Sequence, residues 1–313
     1  MTPRPNPLIP ADEAALRAAI EQEGLAEWAD DIVAVAEHGI QLKAVDAAAS
    51  SAFSRSGVLP SVPPGFTWPT LEPYEDEHPF PLALVAQVDL AELAAQDVNN
   101  LLPPTGLLYF FHPNGEDAYG DVLQVAVRHF PDATPADTAP YDMALLPGAA
   151  DYQEEWHEPP YAFQRPVAYE PAGRGKVPRH LHLELGIQGR ELDDEDVYRV
   201  YDATRALDDA FGPSGEVSML GPDDDFDIDL KASAAALDTG EGEVSRSDGV
   251  LRLNGAREYR DASGAARAVR DEWRVLLDMG ATDATGCPMY FLIRDDALAA
   301  GDFSNVVGAS VQW

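Results

Sequence analysis

Apolar positions change their period several times along the chain. Behind Asp12, which is placed to cap a helix, Leu16, Ala19 and Ile20 follow helical spacing until Gly24. Trp28, Ile32, Val35 and Ala36 form a second amphipathic face that stops at Gly39. Two short helices are predicted there. From Ser54 the texture shifts: Pro60, Pro63, Pro64, Gly65, Pro69 and Pro73 mark an extended stretch. No helix crosses it, because proline lacks an N–H and clashes with the preceding turn. Residues 82–88, 106–111 and 121–127 are short apolar or alternating runs bounded by Pro, Gly and Asn, the pattern of strands.

The interval from Pro131 to Pro178 is rich in Pro, Asp and aromatic residues without a period, and reads as long ordered loops. Alternation over 180–186 predicts a strand. The helix after it places Val197, Tyr201, Thr204, Leu207 and Phe211 on one face, with acidic residues 193–196 at its positive end and Gly212-Pro213 to stop it. Residues 221–249 read as exposed acidic loops. A short helix around 264–272 leads to strands near 273–278, 288–293 and 306–312, with about two turns of helix at 295–301. The first strand set, LALVAQVD, GLLYFF and DVLQVAV, echoes the last, WRVLLDMG, PMYFLI and NVVGASV. Each carries a Tyr-Phe pair, Tyr109-Phe110 and Tyr290-Phe291. Two explanations stand: an internal duplication of the sheet motif, or the likeness of any two sets of apolar strands. The fold class expected is α+β, a mainly antiparallel sheet flanked by short helices. Residues 1–50 are expected as a helical segment packed on a main body of residues 51–313.

Composition narrows the function. Of 313 residues, 45% are hydrophobic and 24% charged, the usage of a folded protein. Acidic residues number 55 against 21 basic, a formal net charge of −34, and this disfavours nucleic acid because such a surface repels phosphate backbones. The excess carboxylates either solvate the surface, as a host-wide composition, or form a face that steers a basic protein partner. Cys287 is the single cysteine, so no disulfide forms within the chain. With no signal-like run in residues 1–20 and no stretch of 18 apolar residues, the expected location is the cytoplasm, away from membranes.

Several segments share an order with a known family. Ser54-Arg55-Ser56-Gly57, Leu59-Pro60, Val62-Pro63-Pro64-Gly65-Phe66 and Trp68-Pro69 come first. Pro81-Leu82, Ala86-Gln87-Val88-Asp89-Leu90, Leu102-Pro103 and Gly106-Leu107-Leu108-Tyr109-Phe110-Phe111 follow. Glu272-Trp273-Arg274-Val275-Leu276-Leu277, Tyr290-Phe291-Leu292-Ile293, Asp295-Asp296-Ala297-Leu298 and Asp302-Phe303-Ser304 close the chain. In this order the chain resembles the YwqG-like bacterial proteins. The resemblance implies a compact α+β fold with extensive antiparallel sheet. It implies no activity, since the family is largely uncharacterised; some members accompany toxin systems and are taken for immunity proteins. The chain departs from the family at Ser218-Met219-Leu220-Gly221-Pro222 and at Asp283-Ala284-Thr285-Gly286, so sites built there do not carry over.

Among candidate chemistry, His180, His182 and Glu184 alternate with leucines. On a strand they would project from one face, where two imidazoles and a carboxylate can hold zinc or iron and leave a position for water, as in a metal-dependent hydrolase. The same alternation is also that of any half-buried strand. Asp223, Asp224, Asp225, Asp227 and Asp229 lack the glycine and glutamate of a calcium loop and read as a solvated run. Cys287 reads as a buried apolar residue rather than a nucleophile. Trp156 and Tyr161 belong to an aromatic-rich loop that either anchors a partner or folds back over the core. Arg55, Trp68, Gln87 and Asp89 lie in the family-like segments as a candidate ligand cleft, the alternative being an Arg55–Asp89 pair that serves as a strut. The expected function is a binding or interaction protein, one version being immunity-type inhibition of a basic toxin. The metal-dependent hydrolase is the alternative.

Overall fold

The computed structural model describes residues 6–71, 80–113, 120–123, 125–148, 159–162, 165–212, 217–222, 229–240, 243–247, 250–254, 264–281 and 288–310. Pro10 at the first helical turn, followed by Asp12 and Glu13, opens α1 (Pro10–Gln22), which buries Leu16 and Ile20. Ile9, not Asp12, occupies the cap position. α2 (Ala29–Val35) buries Ile32 and Val35. The next stretch departs from expectation: β1 (Glu37–Asp46) is a ten-residue strand within the segment expected to be helical.

The other strands of the main sheet are β2 (Arg55–Ser56), β3 (Ala83–Asp89), β4 (Leu107–His112), β5 (Gly120–Leu123) and β6 (Ala126–Phe130). After them come β7 (Val167–Lys176), β8 (Val217–Met219), β9 (Trp273–Ala281), β10 (Pro288–Arg294) and β11 (Val307–Ser310). They form one 11-stranded sheet in the order β5-β11-β10-β9-β8-β1-β7-β2-β3-β4-β6, with every neighbouring pair antiparallel. The protein is therefore α+β with a mainly antiparallel sheet.

From the centre outward the order repeats itself. β1 and β7 pair along their full length, Glu37 opposite Lys176 through Asp46 opposite Val167. Beyond β7 lie β2, β3, β4 and β6; beyond β1 lie β8, β9, β10 and β11, with β5 added outside β11. Each half thus lends its first strand to the other half, the arrangement a duplicated sheet motif produces.

The two edges show how strongly the sheet bends. Only Gln124 and Val125 separate β5 from β6 in the chain, yet these strands sit at opposite ends of the order. Laid flat, strands about 4.8 Å apart would place those edges about 48 Å from each other. The connection spans at most about 11 Å, so the sheet has to curl until its edges approach. Gly308 on β11 accommodates the crossing: a β-carbon there would fall 2.0 Å from Cγ1 of Val125.

Alternation sorts the side chains of this curled sheet. Ile40, Leu42, Leu108, Phe110, Leu276 and Phe291 join one buried cluster drawn from strands all round the order, which places it inside the curl. Their neighbours face outward. Over β3 and β4, Trp68, Leu84, Tyr109, Phe111 and Tyr141 pack beneath the proline-rich loops. Over β9 and β10, Trp273, Val275, Tyr290 and Leu292 pack against α6 (Leu230–Asp238), whose Ala232, Ala234, Ala235 and Ala236 allow close approach. A fourth cluster joins α1 and α2 to α4 (Leu181–Ile187) and α5 (Asp194–Asp209). The described residues also include the short helices α3 (Leu90–Leu93), α7 (Gly264–Val269) and α8 (Asp295–Ala300).

Several segments correct the sequence reading. β7 lies in the interval 131–178 read as loop, and the interval 221–249, also read as loop, holds α6 and the first strand of a hairpin, Glu243–Ser247, which pairs with Val250–Asn254. The run read as one strand over 121–127 is divided between the two edges of the sheet. Residues 180–186, read as a strand, fall on the helix α4 (Leu181–Ile187) and its amino-terminal cap. Their leucine alternation also fits a helix, since Leu181 and Leu185 are one turn apart and both buried. α5 is rotated from the expected face: Val200, Ala203, Thr204 and Leu207 are buried, whereas Tyr201 is exposed. Among the described residues no helix is long and apolar enough to cross a membrane.

Candidate functional site

The residues singled out near the amino-terminal motifs are held in a knot of hydrogen bonds. Gln87 is buried on β3, donates to the Phe53 carbonyl at 2.8 Å and accepts from the Ser61 amide at 3.1 Å. Asp89 ends the same strand and caps α3, accepting from the Ala91 amide at 3.0 Å. Burial raises its pKa, and the Ala91 hydrogen bond only partly offsets this. Arg55 lies opposite Gln87 in the register and turns to the Ala52 carbonyl, so no strut to Asp89 forms. Glu92, not anticipated from sequence, accepts from the amides of Phe53 at 2.7 Å and Ser54 at 3.0 Å, fixing the start of the motif. Trp68 is buried and donates to the Leu82 carbonyl at 2.8 Å. Tyr161 folds back against this outer aromatic cluster. Trp156, Cys287 and Asp223 to Asp227 lie outside the described residues.

His180, His182 and Glu184 do not converge, because on a helix only i and i+4 share a face. His180 Nε2 lies 3.5 Å from Glu184 Oε1, and both residues are buried. His182 points elsewhere, its ring 6.5 Å from that of Tyr201. The Glu184 carboxylate is engaged by Arg270, whose Nη2 donates to Oε1 at 2.8 Å while its Nε donates to Asp229 Oδ2 at 2.6 Å. Burial alone would lower the Arg270 pKa, but these two carboxylates hold it well above its ordinary value. Asp229 also caps α6, accepting from the Ala232 amide at 2.9 Å. The triad therefore ties α4 to α6. Among the described residues no group of three or more His, Cys, Asp or Glu is arranged to hold a metal ion.

Two surface features stand out. The outer face of α5 presents Tyr198 at 70% and Tyr201 at 49% exposure, beside exposed Asp194, Glu195 and Asp202. Arg205 also lies there, while Arg199 is held by Asp196 at 3.1 Å and Glu27 at 3.4 Å.

The second feature is a cleft of about 690 Å³ at one mouth of the curled sheet, walled by Leu102, Pro103, Pro131 and Leu298 and reached by His129, Arg274 and Asp295. Arg274 opposes Ile293 in the register and His129 opposes Leu108, so both come from inward-facing positions at strand ends. The Arg274 Nε donates to Asp295 Oδ1, and His129 Nδ1 lies 3.2 Å from the Gly301 carbonyl. Burial lowers the His129 pKa, which keeps its ring neutral near pH 7. Neither residue is a site candidate from sequence: Arg274 lies in a segment that reads as strand and carries the family resemblance, and His129 lies in no motif.

The fold defines an α+β protein built on a curled, mainly antiparallel sheet. Residues 54–309 match the family described as "Domain of unknown function (DUF1963)". The chain belongs to that family. No curated protein matches it.

Proposed function

We propose that the chain is a YwqG-like binding protein that engages a basic protein partner through the outer face of α5, with immunity-type inhibition of a basic toxin as the concrete version. The observation that carries this reading is the pair of exposed rings, Tyr198 and Tyr201, standing among carboxylates on a protein of net charge −34. Tyrosine supplies large contact area at low entropic cost and is enriched among binding hot spots. The surrounding charge accelerates encounter with a cationic surface and penalises an anionic one. Many basic side chains that could blunt this field are already held by carboxylates: Arg17 by Glu13 and Asp30, Arg190 by Asp31, and Arg294 by Asp238, Glu272 and Asp296.

The test is affinity capture from the native host at low salt, run in parallel with Tyr198→Ala/Tyr201→Ala. A basic protein, identified by mass spectrometry, released by added salt and lost from the variant, is the expected result. Capture that survives the double substitution, or no basic protein at all, would sink the reading.

A further inference from the structure

The mouth of the curled sheet carries a buried cation whose hydrogen bonds are incomplete. Arg274 is 3% exposed, and its Nη1 is buried without a hydrogen-bond partner among the described residues. A buried charged donor left unpaired is costly, and native proteins reserve such groups for a ligand, ion or water. Guanidinium has two edges on which a carboxylate can dock, one through Nε and one through the two Nη atoms. Asp295 takes the first through Nε. The second includes the unpaired Nη1.

The surroundings restrict what can use that edge. Leu102, Pro103, Pro131 and Leu298 give the cleft an apolar wall, and about 690 Å³ suits a small organic molecule rather than a bare ion. Barrel mouths are a recurrent place for such sites, because inward-facing residues at strand ends converge there. His129 lines the same cleft, and its Nε2, buried beside Gly106, has no hydrogen-bond partner among the described residues. With Nδ1 directed at the Gly301 carbonyl, Nε2 is the acceptor of the neutral ring, and its chemical shift reports on the cleft.

We infer that this cleft binds a small carboxylic acid with an apolar body, its carboxylate docking on the Nη edge of Arg274 and its body lying against Leu102 and Leu298. The inference is independent of the α5 face and of any protein partner. The acidic surface slows the approach of an anion, so binding is best measured near 0.15 M salt, where screening acts within about 8 Å.

Phenylacetate and phenylacetamide are suitable probes, since they share a shape and differ in charge. Titration is followed by calorimetry and by the ¹⁵N signals of the His129 side chain. Phenylacetate is expected to shift those signals saturably and to bind at least about tenfold more tightly than the amide, as a charge-assisted bond to arginine implies. Ala299→Trp, which places an indole at an exposed position lining the cleft, should abolish the shift. Arg274→Gln/Asp295→Asn, which removes both partners and leaves no orphaned charge, should erase the preference for the acid while the protein stays folded. Absence of binding, equal binding of acid and amide, or binding that persists in Ala299→Trp would each overturn the inference.

Discussion

The ring of Phe110 meets the ring of Phe291 edge to face, with centroids 5.2 Å apart and planes inclined at 75°. Phe110 lies on β4 and Phe291 on β10, each the third strand outward from the central pair in its own half. The two Tyr-Phe pairs that echo each other in sequence thus occupy equivalent places. Their phenylalanines touch inside the curl, while Tyr109 and Tyr290 face outward into separate clusters.

Because this contact joins the two halves, its energy should be shared. Phe110→Leu and Phe291→Leu are each expected to cost about 1–2 kcal/mol in urea unfolding. Their double mutant should reveal a coupling of about 0.5–1.5 kcal/mol, the usual worth of an edge-to-face pair beyond its buried area. Strict additivity would show that the halves are not coupled here.

Closure of the sheet makes a second prediction. Gly308→Ala puts a methyl group into Val125 and is expected to lower stability by about 1–3 kcal/mol, read as a lower midpoint of thermal unfolding. Adding Val125→Ala should restore most of the loss. Such a rescue between two valine-rich segments far apart in sequence would test the crossing directly.

The Arg270 triad makes a third. Arg270→Met leaves the buried Glu184 and Asp229 carboxylates without their shared cation and should cost about 3–5 kcal/mol in denaturant unfolding. Combining it with Glu184→Gln and Asp229→Asn should recover a large part, because the orphaned charges are then gone. The side chain of Asp229 still caps α6 as asparagine.

Acid stability follows from His112. Burial pushes its pKa from 6.5 down to about 4, and its Nδ1 lies 2.7 Å from the Pro113 carbonyl. Below pH 6.5 the unfolded chain takes up this proton and the folded protein does not, so stability falls as pH drops from about 6.5 toward 4. Between pH 7.5 and 5 the loss from this residue should be about 2 kcal/mol. His129 and His182, whose pKa values burial also lowers, add to it with the same sign. Urea unfolding across this range should show a shallower pH dependence in His112→Gln than in the native protein.

Legibility of the fold varied with how local its causes were. The carboxy-terminal strands, α8 between the last two, and α1 and α2 followed from apolar period and punctuation, since each buries the face its own spacing creates. β7 was missed because Pro171 and the glycines at 173 and 175 break any strand pattern. They are tolerated because β1 pairs with the strand along its whole length. The 181–187 segment misled because its leucines satisfy two periods at once, and Arg270, distant in sequence, engages Glu184 on the helical alternative. The metal reading depended on that strand. The knot around Gln87 and Asp89 was legible as buried polar groups needing partners, but the partners are backbone amides and carbonyls, which no side-chain pattern encodes.

What the residues determined alone is the material of the protein: an anionic exterior, strands that alternate inward and outward, and helices where apolar positions recur every three or four residues. Those properties arise from charge and from spacing between near neighbours. Tertiary structure decided the rest. It curled eleven strands until one short segment served both edges, set Phe110 against Phe291, turned a histidine-rich strand into a helix, and brought Arg274 and His129 to one mouth of the sheet. Each of these depends on contacts between segments tens to hundreds of residues apart, whose energies are absent from any local window of the chain.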